Sequence, residues 1–325
     1  DEGTAGMYGR IVRQLGRMSS VTAVNHEGAV ELMASKKVQT GKGSRTQSPV
    51  AEEKVADGGQ ITISGLKTWT DDSKTTKAIA DLQQFDHSGA LSAPGGGISV
   101  EVDIPGAGYS GTLPSVDLEK ASSVIDAETI LISGGHVSNT GRIDTVQAGG
   151  TAILSGLFVE NEGRIKALAG QIGLVASSDY QLEVNTQEDA FFSDISLIRE
   201  DDNPLTDAVE GLVLNRSGGK LLAEAGKIGM YGRILDQKGL VRSTVTTQSV
   251  FDMGMIELRA FEKVATGPSS RTECPITDSD ELVHESFQIE GGTIHVSGIG
   301  QDALQRIEHA GIMSASSGSI TMTVD

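Results

Sequence analysis

The sequence predicts an all-β fold, a parallel β-helix in which short strands coil and stack along one axis. Two nested periodicities and a near absence of helical spacing carry that expectation. The hexapeptide Gly-Met-Tyr-Gly-Arg-Ile occurs at residues 6–11 and again at 229–234. Within this long repeat lies a shorter one: Val137-Ser-Asn-Thr-Gly-Arg-Ile143 returns 22 residues later as Val159-Glu-Asn-Glu-Gly-Arg-Ile165. A period of about 20 to 22 residues fits a solenoid, whose coils bury their apolar faces only by stacking on neighbours.

The long repeat continues behind both copies of the hexapeptide. Gly28-Ala-Val-Glu-Leu-Met-Ala34 aligns with Gly254-Met-Ile-Glu-Leu-Arg-Ala260, and Lys37-Val-Gln-Thr-Gly41 with Lys263-Val-Ala-Thr-Gly267. Gly58-Gly-Gln-Ile-Thr-Ile-Ser-Gly65 pairs with Gly291-Gly-Thr-Ile-His-Val-Ser-Gly298, and Leu82-Gln-Gln-Phe-Asp-His87 with Leu304-Gln-Arg-Ile-Glu-His309. Residues 1–103 therefore repeat 225–325, and residues 1–325 read as one continuous domain of about one and a half repeat units. Because it opens inside a repeat, at Asp1-Glu2-Gly3, with no leader-like run, the sequence reads as a segment of something longer.

Along the chain, Gly-x-apolar-x-apolar recurs at Gly28, Gly59, Gly97 (one residue out of step), Gly170, Gly226, Gly254, Gly292 and Gly318. Alternation of period two, bounded by Gly and Asn, marks a short half-buried strand. Glycine at the corners, including Gly141, Gly163 and Gly239, is expected to supply positive φ. The core is expected to contain Ile143, Ile153, Ile165, Ile172, Leu174, Ile228, Ile256, Leu258, Ile294 and Val296. Helical spacing is confined to 77–85 and 303–307. About twelve coils at the usual strand spacing of about 4.8 Å give a rod on the order of 60 Å long.

Four stretches interrupt the pattern and read as loops outside the coil wall: 68–86, 103–127, 177–210 and 273–285. Loops on a regular scaffold are where recognition concentrates, so the aromatics Trp69, Tyr109, Phe191 and Phe192 are the candidate recognition residues. Composition agrees with a narrow aliphatic core: Gly is 41 of 325 residues and aromatics are 4%. The net charge of −18 argues against nucleic acid or an anionic membrane as partner. No run approaches the roughly 18 apolar residues of a membrane-spanning helix.

The coils Val137-Ser-Asn-Thr-Gly-Arg-Ile, Ala148-Gly-Gly-Thr-Ala-Ile-Leu, Val159-Glu-Asn-Glu-Gly-Arg-Ile-Lys-Ala and Ala169-Gly-Gln-Ile-Gly-Leu-Val-Ala176 resemble filamentous-haemagglutinin-like exoproteins of two-partner secretion systems. The resemblance covers most of the chain outside the four loops. It implies a right-handed parallel β-helix and export through an outer-membrane transporter of a Gram-negative bacterium. It also implies a secreted or cell-surface location, and a structural or adhesive fibre that meets neighbouring repeats, copies of itself, or a host surface or glycan. The Asn-Pro-Asn-Gly type of motif of that family's secretion domain is absent; the nearest dipeptide is Asn203-Pro204.

A polysaccharide-degrading β-helix enzyme of the pectinase type is the alternative, since it shares the architecture. It needs two carboxylates about a sugar bond, or a calcium site beside an arginine base. Arg164-Ile165-Lys166 resembles the Arg-Ile-Lys element of polygalacturonases, yet Arg142-Ile143-Asp144 fills the same slot one coil earlier. Asp71-Asp72 and Asp201-Asp202 are sequence neighbours, whose side chains point apart on an extended chain.

The remaining constellations point to no catalysis, cofactor or metal. His87 and His309 are repeat equivalents and read as coil-corner residues. His26, His136, His284 and His295 lack zinc-ligand spacing, and the acidic loops could hold calcium only loosely. Gly219-Lys220 lacks the rest of a phosphate loop. Asn215-Arg-Ser217 is a formal glycosylation sequon. Cys274, beside Pro275 in an expected loop, is the single cysteine and reads as a buried or idle thiol.

Overall fold

The computed structural model describes residues 3–21, 28–50, 58–69, 76–105, 111–119, 122–176, 211–246, 254–277, 291–299 and 304–324. Its regular structure is entirely β. The strands follow the alternating pattern: in Ala29–Thr40 the inward positions Val30, Leu32, Ala34 and Val38 are buried, with less buried residues between them.

Successive strands line up in three ladders, and every pairing in them is parallel. The first contains 4–9, 29–34, 60–64, 97–101, 129–134, 151–156, 171–176, 227–232, 255–260, 293–297 and 319–322. The second contains 11–14, 37–40, 84–87, 115–118, 136–139, 158–161, 212–215, 234–237, 263–266 and 306–309. The third begins with 17–19, 45–47, 90–93 and 124–127, and ends with 240–244, 271–274 and 312–315. Among the described residues the chain visits the ladders in the order first, second, third ten times and ends on an eleventh rung of the first, where about twelve coils were expected.

Some strands turn a corner and serve two or three ladders. Ala29–Thr40 serves the first and second, Val124–Asn139 continues through all three, and through them the pairings close a ring of six parallel strands. The other members are Gln60–Ser64, Ala90–Glu101, Ser115–Leu118 and Gln84–His87. The two copies of the hexapeptide occupy equivalent corners: the pairing register shifts between Gly9 and Ile11 in one and between Gly232 and Ile234 in the other.

All ten residues expected in the core are buried. Nine belong to one continuous cluster; Ile153 is buried on the opposite face of its strand from Ala152 and Leu154, which join that cluster. Each aliphatic side chain removed from water contributes roughly 1.5–3 kcal/mol. These contributions are spread over one cluster that runs from Val12 to Leu304.

Three expectations need correction. Gly141, Gly163 and Gly239 do not adopt positive φ. They are glycine because a Cβ at Gly163 would strike the Gly141 carbonyl oxygen, and one at Gly239 the Gly219 carbonyl oxygen. Positive φ falls instead on Gly149, Ala169, Ala225 and Ser317, just before the glycine that opens a new pass. Gly97 is out of step because Gly96 is the corner glycine, packed against the Gly59 carbonyl.

The helical spacing at 77–85 and 303–307 does not produce helices. Thr76–Ala80 pairs antiparallel with Leu66–Trp69 in a separate hairpin, while Gln84–His87 and Arg306–His309 are wall strands. Leu82 and Phe85 are spaced as on a helix, but both are buried in the wall core. Two of the expected loops also shrink. Ser115–Leu118 and the start of Val124–Asn139 lie in ladders, as do Arg271–Cys274 and Ile276–Thr277.

Candidate functional site

Of the four candidate recognition aromatics, only Trp69 falls on a described element, at the end of the strand Leu66–Trp69, where it pairs with Thr76. Tyr109, Phe191 and Phe192 lie outside the described residues, as do 177–210, Asp71-Asp72 and Asp201-Asp202.

A line of mostly polar side chains runs through the second ladder, interrupted by the apolar Leu118 and buried from Gln14 to Thr266, with His309 exposed at its end. In rung order it reads Gln14, Thr40, His87, Leu118, Asn139, Asn161, Asn215, Gln237, Thr266 and His309. The order Gln-Thr-His begins again at Gln237, so the long sequence repeat spans seven rungs of this line. Amides link consecutive rungs. Asn139 Nδ2 donates to Asn161 Oδ1 at 2.8 Å, Asn161 Nδ2 to Asn215 Oδ1 at 3.0 Å, and Asn215 Nδ2 to Gln237 Oε1 at 2.8 Å. Asn139 Oδ1 also accepts from the Gly141 amide at 3.0 Å, closing the corner. Asn215 is fully buried in this line, so the sequon is inaccessible in the fold.

Thr40 Oγ1 lies 2.6 Å from His87 Nδ1, and Thr266 Oγ1 the same distance from His309 Nδ1. Burial lowers the His87 imidazole to about 4, opposed in part by its contact with the Val124 carbonyl. These histidines sit at strand ends just before a corner, as the repeat implied.

On the outward side of the first ladder, Glu257 is 5% exposed and collects three donors. Its Oε2 accepts from Tyr231 Oη at 2.6 Å and lies 2.9 Å from Lys227 Nζ, while Oε1 lies 2.9 Å from Arg259 Nη2. Burial pushes the carboxyl up, but Lys227, Tyr231 and Arg259 together draw it below its ordinary value. Burial, then the Glu257 charge and hydrogen bond, raise the Tyr231 phenol well above its usual value. A carboxylate with both oxygens engaged is a structural anchor, not a free base.

Two carboxylate pairs stack on adjacent rungs: Asp86 with Asp117, and Asp126 with Asp144. Burial and the neighbouring carboxylate both raise Asp117 and Asp126; the Ser92 hydroxyl holds Asp126 at 2.7 Å. Asp144 pairs with Arg142 and with Arg164 (3.6 Å), and Asp86 with Lys37. Neither carboxylate pair was expected from the sequence, although Val124-Ile-Asp126 and Arg142-Ile-Asp144 share their spacing. The Arg164-Ile-Lys166 element splits between different partners, Arg164 reaching Asp144 and Lys166 reaching Glu224 at 2.6 Å.

His136 stacks on Phe158 with ring centroids 4.6 Å apart. Among the described residues no three His, Cys, Asp or Glu side chains gather as a metal site. Cys274 closes a wall strand rather than standing in a loop; burial, then Glu273, pushes its thiol up to about 12. Its Sγ–H points at the Thr293 carbonyl, 3.5 Å away. Among the described residues no helix is long and apolar enough to cross a membrane. Comparison of the chain with known protein families, curated proteins and solved structures finds no match.

Proposed function

We propose that the chain is a structural or adhesive segment of a secreted surface fibre, wound as a right-handed parallel β-helix and without catalytic activity. The observation that carries this reading is the line from Gln14 to His309, in which one rung order restarts after seven rungs. A molecule whose interior repeats along an axis is suited to extension. The engaged state of Glu257 and Asp144 supports a scaffold role as well. On this reading the haemagglutinin-like coils imply export through an outer-membrane transporter of the two-partner type, with the hairpin bearing Trp69 available for a host surface or glycan.

Electron microscopy of the native material tests the fibre, which should appear as thin filaments; discrete blunt particles would oppose it. For adhesion, the removable element is the hairpin at 66–80, because 84–87 belongs to the wall. Attachment lost on replacing the hairpin with a short turn, with the coil intact by circular dichroism, would assign adhesion to it. Normal attachment would leave a scaffold. The enzyme alternative draws on the Asp126–Asp144 pair, and cleavage of an acidic polysaccharide that is abolished by Asp126→Asn would establish it.

A further inference from the structure

Gln14 and Gln237 occupy the same place in the two copies of the repeat, and their amide nitrogens make the same bonds. Gln14 Nε2 donates to the carbonyls of Gly16 (3.0 Å) and Arg45 (3.2 Å), and Gln237 Nε2 to those of Gly239 (3.1 Å) and Arg271 (3.2 Å). The oxygens differ. Gln237 Oε1 accepts from Asn215 Nδ2 at 2.8 Å, on the rung before it, and from the Gly239 amide at 3.1 Å. Gln14 is 3% exposed, yet its Oε1 has no partner. Buried acceptors are nearly always satisfied, so this orphan marks a missing donor.

The surroundings agree. Tyr8 is 59% exposed where its counterpart Tyr231 is 2% exposed. Ala5 and Met7 are only partly buried against the core, while Ile228 and Met230, in the equivalent places, are fully buried. In the second copy the strand Leu212–Asn215 lies parallel to 234–237, with Val213 facing the core beside Leu235 and Asn215 reaching Gln237. The Lys238 amide completes the contact by donating to the Asn215 carbonyl at 2.7 Å.

Resting on the fibre reading, we propose that the edge strand 11–14 is a docking site for one parallel strand of the form apolar-x-apolar-Asn, whose side-chain amide donates to Gln14 Oε1. The strand comes from a further copy of this chain's own repeat, in the role that Leu212–Asn215 plays toward Gln237. Leu212–Asn215 of the same molecule cannot serve, because it is already paired on both sides. Addition of a strand to a free sheet edge supplies main-chain bonds, and the asparagine supplies register.

The test extends the full chain at its first residue with a second copy of residues 122–224 and follows amide hydrogen exchange at Ile11, Val12, Arg13 and Gln14. Protection should rise at least on the order of tenfold over the unextended chain. Replacing the added copy's counterpart of Asn215 by Leu should remove most of that gain while leaving the amides of 234–237 unchanged, which shows that the fold is intact. No added protection, or equal protection with the Leu variant, overturns the proposal. So does protection of 11–14 in the unextended chain that grows with its concentration, which would assign the edge to stacking of whole molecules. None of these failures removes the fibre reading, which stands or falls on microscopy.

Discussion

Tyr231 lies back over Gly229 on its own strand and donates its hydroxyl at 2.6 Å to Glu257, the residue that stands opposite Gly229 on the following rung. A Cβ at position 229 would occupy the space of the Tyr231 ring. The first copy builds the same device from Gly6, Tyr8 and Glu31. The Gly-x-Tyr of the repeated hexapeptide is thus a packing unit in which the ring covers the glycine. The two copies differ in what flanks the carboxylate: Lys227 and Arg259 in the second, Thr4 and Met33 in the first.

That difference makes the tyrosines unequal. Tyr231→Phe removes a bond to a buried charged group and should cost about 1.5 kcal/mol or more. Tyr8→Phe, at an exposed ring, should stay within about 0.5 kcal/mol. Urea unfolding of the two variants measures both.

Asn161 is bonded on both sides in the polar line. Asn161→Leu leaves the Asn139 amide and the Asn215 oxygen unpaired in the interior, an expected loss of roughly 2–4 kcal/mol. Asn139→Leu likewise leaves two groups unpaired, the Gly141 amide and the Asn161 oxygen, and should cost a similar amount. No loss for either variant in chemical denaturation would mean that the hydrogen bonds of the line contribute nothing to stability.

The glycines that open each pass respond to space, and the residues before them to backbone angle. Gly170→Ala drives a methyl group into the Gly150 carbonyl oxygen and should destabilise by roughly 1–3 kcal/mol. Ala169→Gly relieves a residue at φ 44° and should stabilise by up to about 1 kcal/mol. Thermal unfolding midpoints should therefore move in opposite directions for adjacent positions.

Acid should weaken the protein through His87. The folded value of about 4 lies below the ordinary imidazole value of 6.5. The neutral imidazole is therefore favoured in the fold, and its stability contribution is complete above pH 6.5. It is lost as pH falls toward 4, because the unfolded chain takes up the proton first. The full effect is roughly 3 kcal/mol. His87→Leu, which copies the Leu118 found one rung further along the same line, should flatten the stability profile between those limits.

The wall strands were legible because alternation and the 22-residue repeat are local signals. Helical spacing at Leu82 and Phe85 misled because tertiary pairing decides between periods in a short apolar run; Phe85 sits between Val38 and Val116. The corner glycines were found but misread, since proximity to the next pass is invisible in a single turn of sequence. The asparagines stood in the repeated motif from the start. Their bonding could be recognised only once residues 22 or 54 positions apart became neighbours. Glu257 gave no local signal, as its donors arrive from two different rungs.

The first ladder makes the molecule a ruler graduated in passes, not in residues. Thr151 and Gln171 are 20 positions apart and occupy adjacent rungs; Gln171 and Lys227 are 56 apart and also occupy adjacent rungs. Each advance is one strand spacing of about 4.8 Å, whatever its cost in sequence. Insertion or deletion between rungs can therefore change mass, charge and surface while the rung order of everything beyond it stays fixed. Rung order and surface chemistry become independently variable quantities.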